Sequence, residues 1–280
     1  MLPFQMNEAL LRFLIFAAVL VLFAALEMWW PRRARSWPRT RRWATNLAIA
    51  ALGSLLVRLL ALVSLPLTAV AAAIFAEHRE WGLFHNVAVP AVIAFAATLL
   101  VLDFAIWLQH LVTHKVPVLW RLHRVHHADP DIDVSTATRF HPVEIGLSML
   151  WKVAVVLALG APAAAVLLFE VLLNACAMFN HANLALPSAL DRAIRLLVVT
   201  PDMHRVHHSV LRREHDSNYG FNLSLWDRLF GTYRAEPEAG HEAMRIGLDD
   251  YRDDGPTRLG WSLALPLSSN RRVLPKEEPQ

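Results

Sequence analysis

The chain has 280 residues, of which 55% are hydrophobic and only 18% are charged, and its mean hydropathy is positive at +0.35. This composition lies outside the range of soluble globular domains, so it argues against a water-soluble protein. The net charge of +3 is modest, which favours contact with anionic lipid over binding to nucleic acid. The single cysteine, Cys176, excludes disulfides, cysteine-ligated zinc and iron–sulfur clusters within the chain.

Four apolar stretches predict membrane-spanning helices. Residues 9–30, 43–76, 88–108 and 146–179 each approach or exceed the ~20 residues that a helix needs to cross a bilayer. We therefore expect an all-α fold, a polytopic integral membrane helical bundle. Arg12, near the start of the first stretch, is expected to snorkel to the membrane surface.

Two of these stretches are interrupted. The second contains Arg58 and Pro66, which predict a span to about Leu62 followed by an interfacial segment. The fourth contains Gly160 and Pro162 near its middle, which leaves two arms that are each short for a full crossing. We therefore predict a hairpin over residues 146–179 that enters the membrane and returns.

Arginines predict the orientation of the bundle. Only Arg79 lies in the loop 77–87, whereas six arginines follow the first span: Arg32, Arg33, Arg35, Arg39, Arg41 and Arg42. The positive-inside rule then places the loop after the first span in the cytosol. By counting spans we expect a cytosolic histidine-rich cap. The expected regions are an N-terminal membrane region (1–98), a catalytic region (99–265) and a polar tail (266–280).

Ten of the fourteen histidines fall between residues 110 and 208. The segments "WRLHRVHHAD" (120–129) and "DMHRVHHSV" (202–210) both contain His-x-x-His-His, and His110 and His114 form a His-x3-His pair. Such spacings bring imidazoles to one face of a helix. Burying so many imidazoles without a metal would leave unsatisfied nitrogens at a cost of about 1–3 kcal/mol each. The clusters therefore predict a metal site.

The identity of the metal stays open at this level. Imidazole suits zinc, copper, iron and nickel, and the clustered histidines are numerous enough for two ions. A pair of irons that activates oxygen and a pair of zincs that hydrolyses a lipid both fit. A metal transporter is disfavoured, because its histidines would lie within the spans. No glycine-rich dinucleotide fingerprint or haem-attachment motif is present, so any electrons must come from a separate protein.

The amino-acid sequence around the histidines resembles that of a known protein family. "LWRLHRVHHADPDIDVSTATRFHPVE" and "TPDMHRVHHSVLRREHDSNYGFNLSLWDRLFGTYR" are similar to the fatty acid hydroxylase/sterol desaturase superfamily of integral membrane di-iron enzymes, and the resemblance covers roughly residues 99–265. It implies two non-haem irons, O2 as co-substrate and a lipid substrate such as a sterol or fatty acyl chain. It also implies an electron donor of the cytochrome b, ferredoxin or flavin reductase type. The similarity to bacterial members implies an inner-membrane location with the histidine boxes facing the cytoplasm.

The resemblance also implies site residues. The metal ligands carried over by position are His110, His114, His123, His126, His127, His204, His207 and His208, joined by His141 in "FHPVE" and His181 in "FNHANL". Asp103 lies seven residues before His110 and is expected to accept a hydrogen bond from a ligand imidazole. Asp216 and Asn218, in "DSNYG", are expected either to orient ligands or to shape a turn.

Some residues depart from the family pattern. Leu111 follows the first histidine where arginine is common, and Trp107 stands where a tyrosine is common. The histidines outside the boxes are expected to be ordinary surface or interfacial residues; they are His78, His85, His215 and His241.

Overall fold

The fold is all-α. The computed structural model describes residues 2–63 and 68–268, and no β-strand occurs in those two ranges. The α-helices are α1 (Leu2–Trp29), α2 (Arg39–Val63), α3 (Ala69–Arg79), α4 (Leu83–Asn86), α5 (Ala91–Lys115), α6 (Pro117–His127), α7 (Pro142–Leu159), α8 (Ala163–His181), α9 (Ser188–Ile194), α10 (Pro201–His207), α11 (Arg212–His215), α12 (Leu225–Leu229), α13 (Gly240–Ala243) and α14 (Leu259–Ala264). The predicted tail lies outside the described residues from position 269 onward.

Five of these helices are long and apolar enough to cross a membrane, namely α1, α2, α5, α7 and α8. The predicted polytopic bundle is therefore confirmed. The turn at Gly160 is in the left-handed region (φ 64°), and it separates α7 from α8. The two arms contain 18 and 19 residues, because α7 already begins at Pro142 and α8 continues to His181. They are thus longer than the apolar pattern alone indicated.

The second apolar stretch contains a packed helix where an interfacial segment was expected. The helix α2 ends at Val63, close to the predicted Leu62, while Pro66 lies outside the described residues. Beyond it, α3 buries Ala72, Ala73 and Ala76 completely and packs against α7 and α8. Alanine side chains let helix backbones approach closely, so packing inside the bundle replaces contact with the membrane surface.

The two ends of the bundle differ in chemistry. At one end Gly82 and Gly160 approach so closely that a methyl group on Gly82 would collide with the backbone of Gly160. At the other end lie the last residues of α5, α6 and α8, where most of the clustered histidines are found. Between these ends Arg12 does not snorkel, because it pairs with Glu170 at 2.7 Å. Charged groups at membrane depth are stabilised by such pairing inside the bundle.

The predicted orientation can be checked with single cysteines in a Cys176→Ser background. Arg192 and His85 are both exposed, but Arg192 lies at the histidine-rich end and His85 lies beside Gly160 at the other end. We expect a membrane-impermeant thiol reagent applied to intact cells to label His85→Cys and to spare Arg192→Cys. Both variants should react after the cells are permeabilised. Labelling of Arg192→Cys alone in intact cells would reverse the predicted topology.

Candidate metal centre

Nine buried histidines form two adjacent groups. Within each group the candidate ligand atoms lie within 4.8 Å of one another. The five-histidine group contains His110, His114, His123, His127 and His207, and the four-histidine group contains His126, His181, His204 and His208. The structure thus brings together nine of the ten histidines that the sequence nominated as ligands.

The two His-x-x-His-His boxes are shared between the groups. On α6 the pair His123 and His127, one helical turn apart, faces the five-histidine group, while His126 faces the other group. In the box of α10 the assignment is reversed. Its first and last histidines, His204 and His208, face the four-histidine group, and its middle histidine, His207, belongs to the five-histidine group. Each box therefore supplies ligands to both groups, which explains why the sequence contains the motif twice.

Helix ends position these side chains. Both box helices have proline in their first turn, and each ends at a histidine of its box, α6 at His127 and α10 at His207. The first turn of α10 is capped by Thr200, whose hydroxyl accepts a hydrogen bond from the Met203 N–H. His181 is the last residue of α8. The partial negative charge at a helix C-terminus favours a cation nearby, so several helix ends converge where positive charge is stabilised.

Hydrogen bonds fix the orientation of four imidazoles. The Nδ1 atoms of His110 and His207 donate to the backbone carbonyls of Tyr219 and Ser217 at 2.7 Å. The Nδ1 atom of His123 donates to Glu144 Oε1 at 2.6 Å, and the Nδ1 atom of His181 donates to the Ala177 carbonyl at 2.7 Å. A carbonyl oxygen can only accept, so the rings of His110, His181 and His207 carry a proton on Nδ1 and, when neutral, present a lone pair on Nε2.

Close pairs of ring nitrogens fit a cation between the rings. The Nε2 atoms of His110 and His123 are 3.1 Å apart. The same distance separates His181 Nε2 from the Nε2 atoms of His126 and His204. Two imidazole nitrogens that bind one ion are about 3.0–3.4 Å apart. The spacing therefore fits pairs of imidazoles that hold an ion between them.

Buried nitrogens without a hydrogen-bond partner support the same conclusion. Among the described residues these include Nε2 of His127, His207 and His208. Burial and the neighbouring imidazoles lower the pKa of His127, His207 and His208 well below its ordinary value. These rings therefore stay neutral, which is the form that binds a metal ion.

His141 lies outside both groups. It is half-buried, and its Nδ1 accepts a hydrogen bond from the Val143 N–H at 3.2 Å as the N-cap of α7. Asp103 accepts a hydrogen bond from Trp226 Nε1 at 2.7 Å, not from a ligand imidazole. Its side chain therefore secures the segment around α12 to α5.

The "DSNYG" segment contacts the site. Asp216 pairs with Lys115 at 2.9 Å, and its Oδ1 lies 3.7 Å from His114 Nδ1. Asn218 has a positive φ of 53° and donates from Nδ2 to the carbonyls of Met203 and Arg234 at 2.8 Å. Asn218 therefore shapes the turn and supports the box helix α10, while Asp216 approaches a ligand.

Two of the histidines outside the boxes are not ordinary surface residues. His241 is only 5% exposed and its Nε2 lies 2.8 Å from Glu236. His215 stacks on Trp120 with ring centres 5.4 Å apart, and together with His114 and Asp216 it forms a further candidate ligand group. The expectation is wrong for His241, which tertiary contacts bury, whereas His215 is half-buried.

Two carboxylates that support the site carried no assigned role in the sequence analysis. Glu144 holds the His123 ring, as described above, and its signal is an acid in the first turn of an otherwise apolar hairpin arm. Asp227 accepts hydrogen bonds from the Tyr219 and Gly220 N–H groups and from Trp107 Nε1, at 2.8–3.0 Å. It thereby fixes the turn whose carbonyl orients His110, and it gives Trp107 a defined partner.

The chain is similar to known lipid-modifying proteins. Residues 95–232 match the family model described as fatty acid hydroxylase. The chain is 29% identical over 199 residues to the ornithine lipid hydroxylase OlsE of Rhizobium tropici, which covers 69% of this chain and 54% of that protein. It is 33% identical over 137 residues to the human alkylglycerol monooxygenase, covering 49% of this chain and 29% of the relative.

A cholesterol 25-hydroxylase-like protein of Danio rerio is 34% identical over 144 residues, or 50% of this chain and 55% of that protein. The matched part of the chain thus spans about half the length of two of these relatives and under a third of the other. No solved structure matches the chain. The family match covers the histidine boxes and the turns that orient them, so the part of the chain that carries the candidate metal centre, residues 95–232, is similar to the fatty acid hydroxylase family.

Proposed function

We propose that the protein is a membrane-bound non-haem di-iron oxygenase that uses O2 and two external electrons to hydroxylate or desaturate a lipid. The observation that carries this proposal is the pair of buried histidine groups, in which Nε2 atoms lie 3.1 Å apart. Five and four imidazoles exceed what two tetrahedral zinc ions with open positions require. This excess favours iron over the alternative, a dizinc lipid hydrolase.

In this proposal each residue of the centre has a defined task. Iron, when bound by the two groups, supplies the redox chemistry that activates dioxygen. Glu144 and the Tyr219 and Ser217 carbonyls hold the ligand rings and fix their tautomers. Phe140 stacks on His126 with ring centres 4.3 Å apart, and Phe221 lies 4.9 Å from the His110 ring. These aromatic rings exclude water from one side of the centre.

The substrate class is supported by the relatives. Their names refer to an ornithine lipid, an alkylglycerol and cholesterol, and all three are lipids. The five apolar helices would keep the active centre next to a pool of such molecules. We therefore propose a membrane lipid as the substrate, with residues 99–265 as the catalytic region and 1–98 as the membrane region.

We further propose that electrons arrive from a separate protein, of the cytochrome b, ferredoxin or flavin reductase type. Exposed basic side chains near the centre, such as Arg212, Arg213 and Arg245, could dock an acidic donor or contact anionic lipid. The proposed setting is a bacterial inner membrane with the histidine boxes on the cytoplasmic side. The single-cysteine experiment described above tests that orientation.

The metal content tests the proposed function directly. Protein expressed with ample iron and purified in detergent is expected to contain about two iron ions per chain, because each histidine group can hold one ion. The measurement is elemental analysis of iron and zinc against protein concentration, with oxygen consumption recorded in the presence of a reductant and lipid. Zinc alone under these conditions, with turnover that is independent of oxygen, would favour the hydrolase.

A further inference from the structure

A cavity of about 310 Å³ lies between α5, α6 and α7, beside the five-histidine group. Its volume is at the lower end of the range of about 300–1,000 Å³ found for small-molecule sites. It is lined mostly by leucine and valine side chains, and its lining residues include Gln109, Thr113, Leu122, Glu144, Leu147 and Trp151. We refer to this space as the α5–α7 cavity.

Most of the wall of the α5–α7 cavity is apolar, and apart from Glu144 at the inner end its polar side chains make hydrogen bonds. Gln109 Oε1 accepts a hydrogen bond from Ser148 Oγ at 3.1 Å, and Trp151 Nε1 donates to the Ala105 carbonyl at 2.9 Å. The Thr113 hydroxyl donates to the His110 carbonyl at 2.6 Å. A charged group placed against the leucine and valine side chains of this wall would lack a partner, at a cost that an apolar chain does not incur.

The α5–α7 cavity opens towards lipid. Both α5 and α7 are long and apolar enough to span the membrane. Leu147 and Trp151 line the cavity and are 44% and 39% exposed. Because spanning helices are surrounded by lipid, a molecule that enters past these two residues comes from the bilayer.

The inner end of the α5–α7 cavity touches the metal centre. Glu144 is 6% exposed, and its Oε1 accepts the hydrogen bond from His123 Nδ1 at 2.6 Å. Its Oε2 is buried and has no hydrogen-bond partner among the described residues. Thr113 and Leu122 also line the cavity and directly precede His114 and His123 in the chain. One carboxylate therefore separates an apolar cavity from five imidazoles.

We propose that the α5–α7 cavity binds the acyl or alkyl chain of the lipid that the enzyme oxidises. The chain enters sideways between α5 and α7, and Glu144 is a positioning residue at its inner end. The charged or polar headgroup stays at the membrane surface, so the carbon that is oxidised lies on the hydrocarbon chain. This inference rests on the proposed function, because it assigns the substrate of that same centre.

Filling the α5–α7 cavity tests this assignment. In Leu147→Trp the larger ring occupies the cavity, whereas Leu150→Trp places the same ring on the same helix outside it, at a leucine that is 46% exposed. Each protein is reconstituted in vesicles of phosphatidylethanolamine that carries a photoreactive diazirine midway along one acyl chain. The readouts are iron per chain, the peptides that acquire the label, and the position of oxygen in the oxidised lipid.

We expect all three proteins to hold the same amount of iron. Label should reach the peptides with residues 108–113 and 144–151 in the wild type and in Leu150→Trp. In Leu147→Trp that label should be lost, and kcat/KM should fall roughly tenfold or more, because a change of one methylene in an apolar pocket already changes kcat/KM by about 10–200-fold. New oxygen or unsaturation should be found on the hydrocarbon chain by tandem mass spectrometry.

Three results would overturn the inference. Undiminished label and turnover in Leu147→Trp would show that the chain binds elsewhere, and so would oxidation of the headgroup. Equal labelling of the cavity peptides and of the exposed face of α1 around Leu14 and Val21 would indicate only general contact with lipid. By contrast, a wild type that binds the chain in the cavity but contains no iron would contradict the proposed function, not the binding site.

Discussion

Replacing His126 or His207 with alanine should lower the iron content and abolish turnover while the protein still inserts and folds. His126 belongs to the four-histidine group and His207 to the five-histidine group, and both side chains are fully buried. Each substitution removes one imidazole and leaves the rings of His110, His123 and His181 held by their Nδ1 hydrogen bonds. The coordination is then incomplete, although the packing around it changes little.

The measurement for these variants is iron per chain together with product formation, at matched levels of folded protein. We expect the iron content to fall from about two ions towards one, because each substitution affects one group directly. His78→Ala is the matched control, since His78 is exposed and lies outside both groups. His241 cannot serve as a silent control because it is buried. Full iron and full activity in either ligand variant would show that the two groups do not form the proposed centre.

Replacing Arg42 with methionine should destabilise the protein by about 3–5 kcal/mol, because it leaves buried carboxylates without their cation. Arg42 is completely buried. Its Nε and Nη2 atoms donate to both carboxylate oxygens of Asp129 at 2.6 and 2.8 Å, and its Nη1 donates to Asp133 at 2.5 Å. Burial opposes ionisation of Asp129, but the charge of Arg42 prevails and lowers the pKa of that carboxyl.

The neighbouring Arg41 provides a matched control, because it is exposed. Arg41→Met should change the free energy of unfolding by no more than about 0.5 kcal/mol. The measurement is the unfolding midpoint of both variants in the same detergent, with iron per chain as a second readout. Asp129 follows His127 by two residues, so the loss of Arg42 should also lower iron occupancy. Equal midpoints for the two variants would contradict the structural role of Arg42.

The grouping of the candidate ligand histidines could be predicted because their spacing is local. Residues three or four apart meet on one face of a helix whatever the rest of the chain does. His126 and His204 are therefore recognisable within a window of ten residues, and the structure places both in the four-histidine group. His181 is not part of a histidine box, and it was predicted only from the resemblance of its surrounding sequence to the family. The helix α8 brings it to the four-histidine group.

Long-range partners could not be predicted in this way. Arg42 was grouped with the arginines of a cytosolic loop, yet its partners Asp129 and Asp133 lie 87 and 91 residues further along the chain. The alanines of α3 have the composition of a membrane-facing segment, and only the positions of α7 and α8 determine that they are buried. Such features depend on tertiary packing, which a local pattern does not encode.

The sharing of both boxes between the two groups has a consequence for biosynthesis. Neither group is complete until α10 has been made, since His207 belongs to one and His204 and His208 to the other. A nascent chain that has exposed α5, α6 and α8 therefore offers only partial coordination at either position. If the proposed centre holds two ions, we expect both to be retained firmly only after residue 208 has left the ribosome and α10 has docked, which would make metal acquisition a late step in the maturation of the protein.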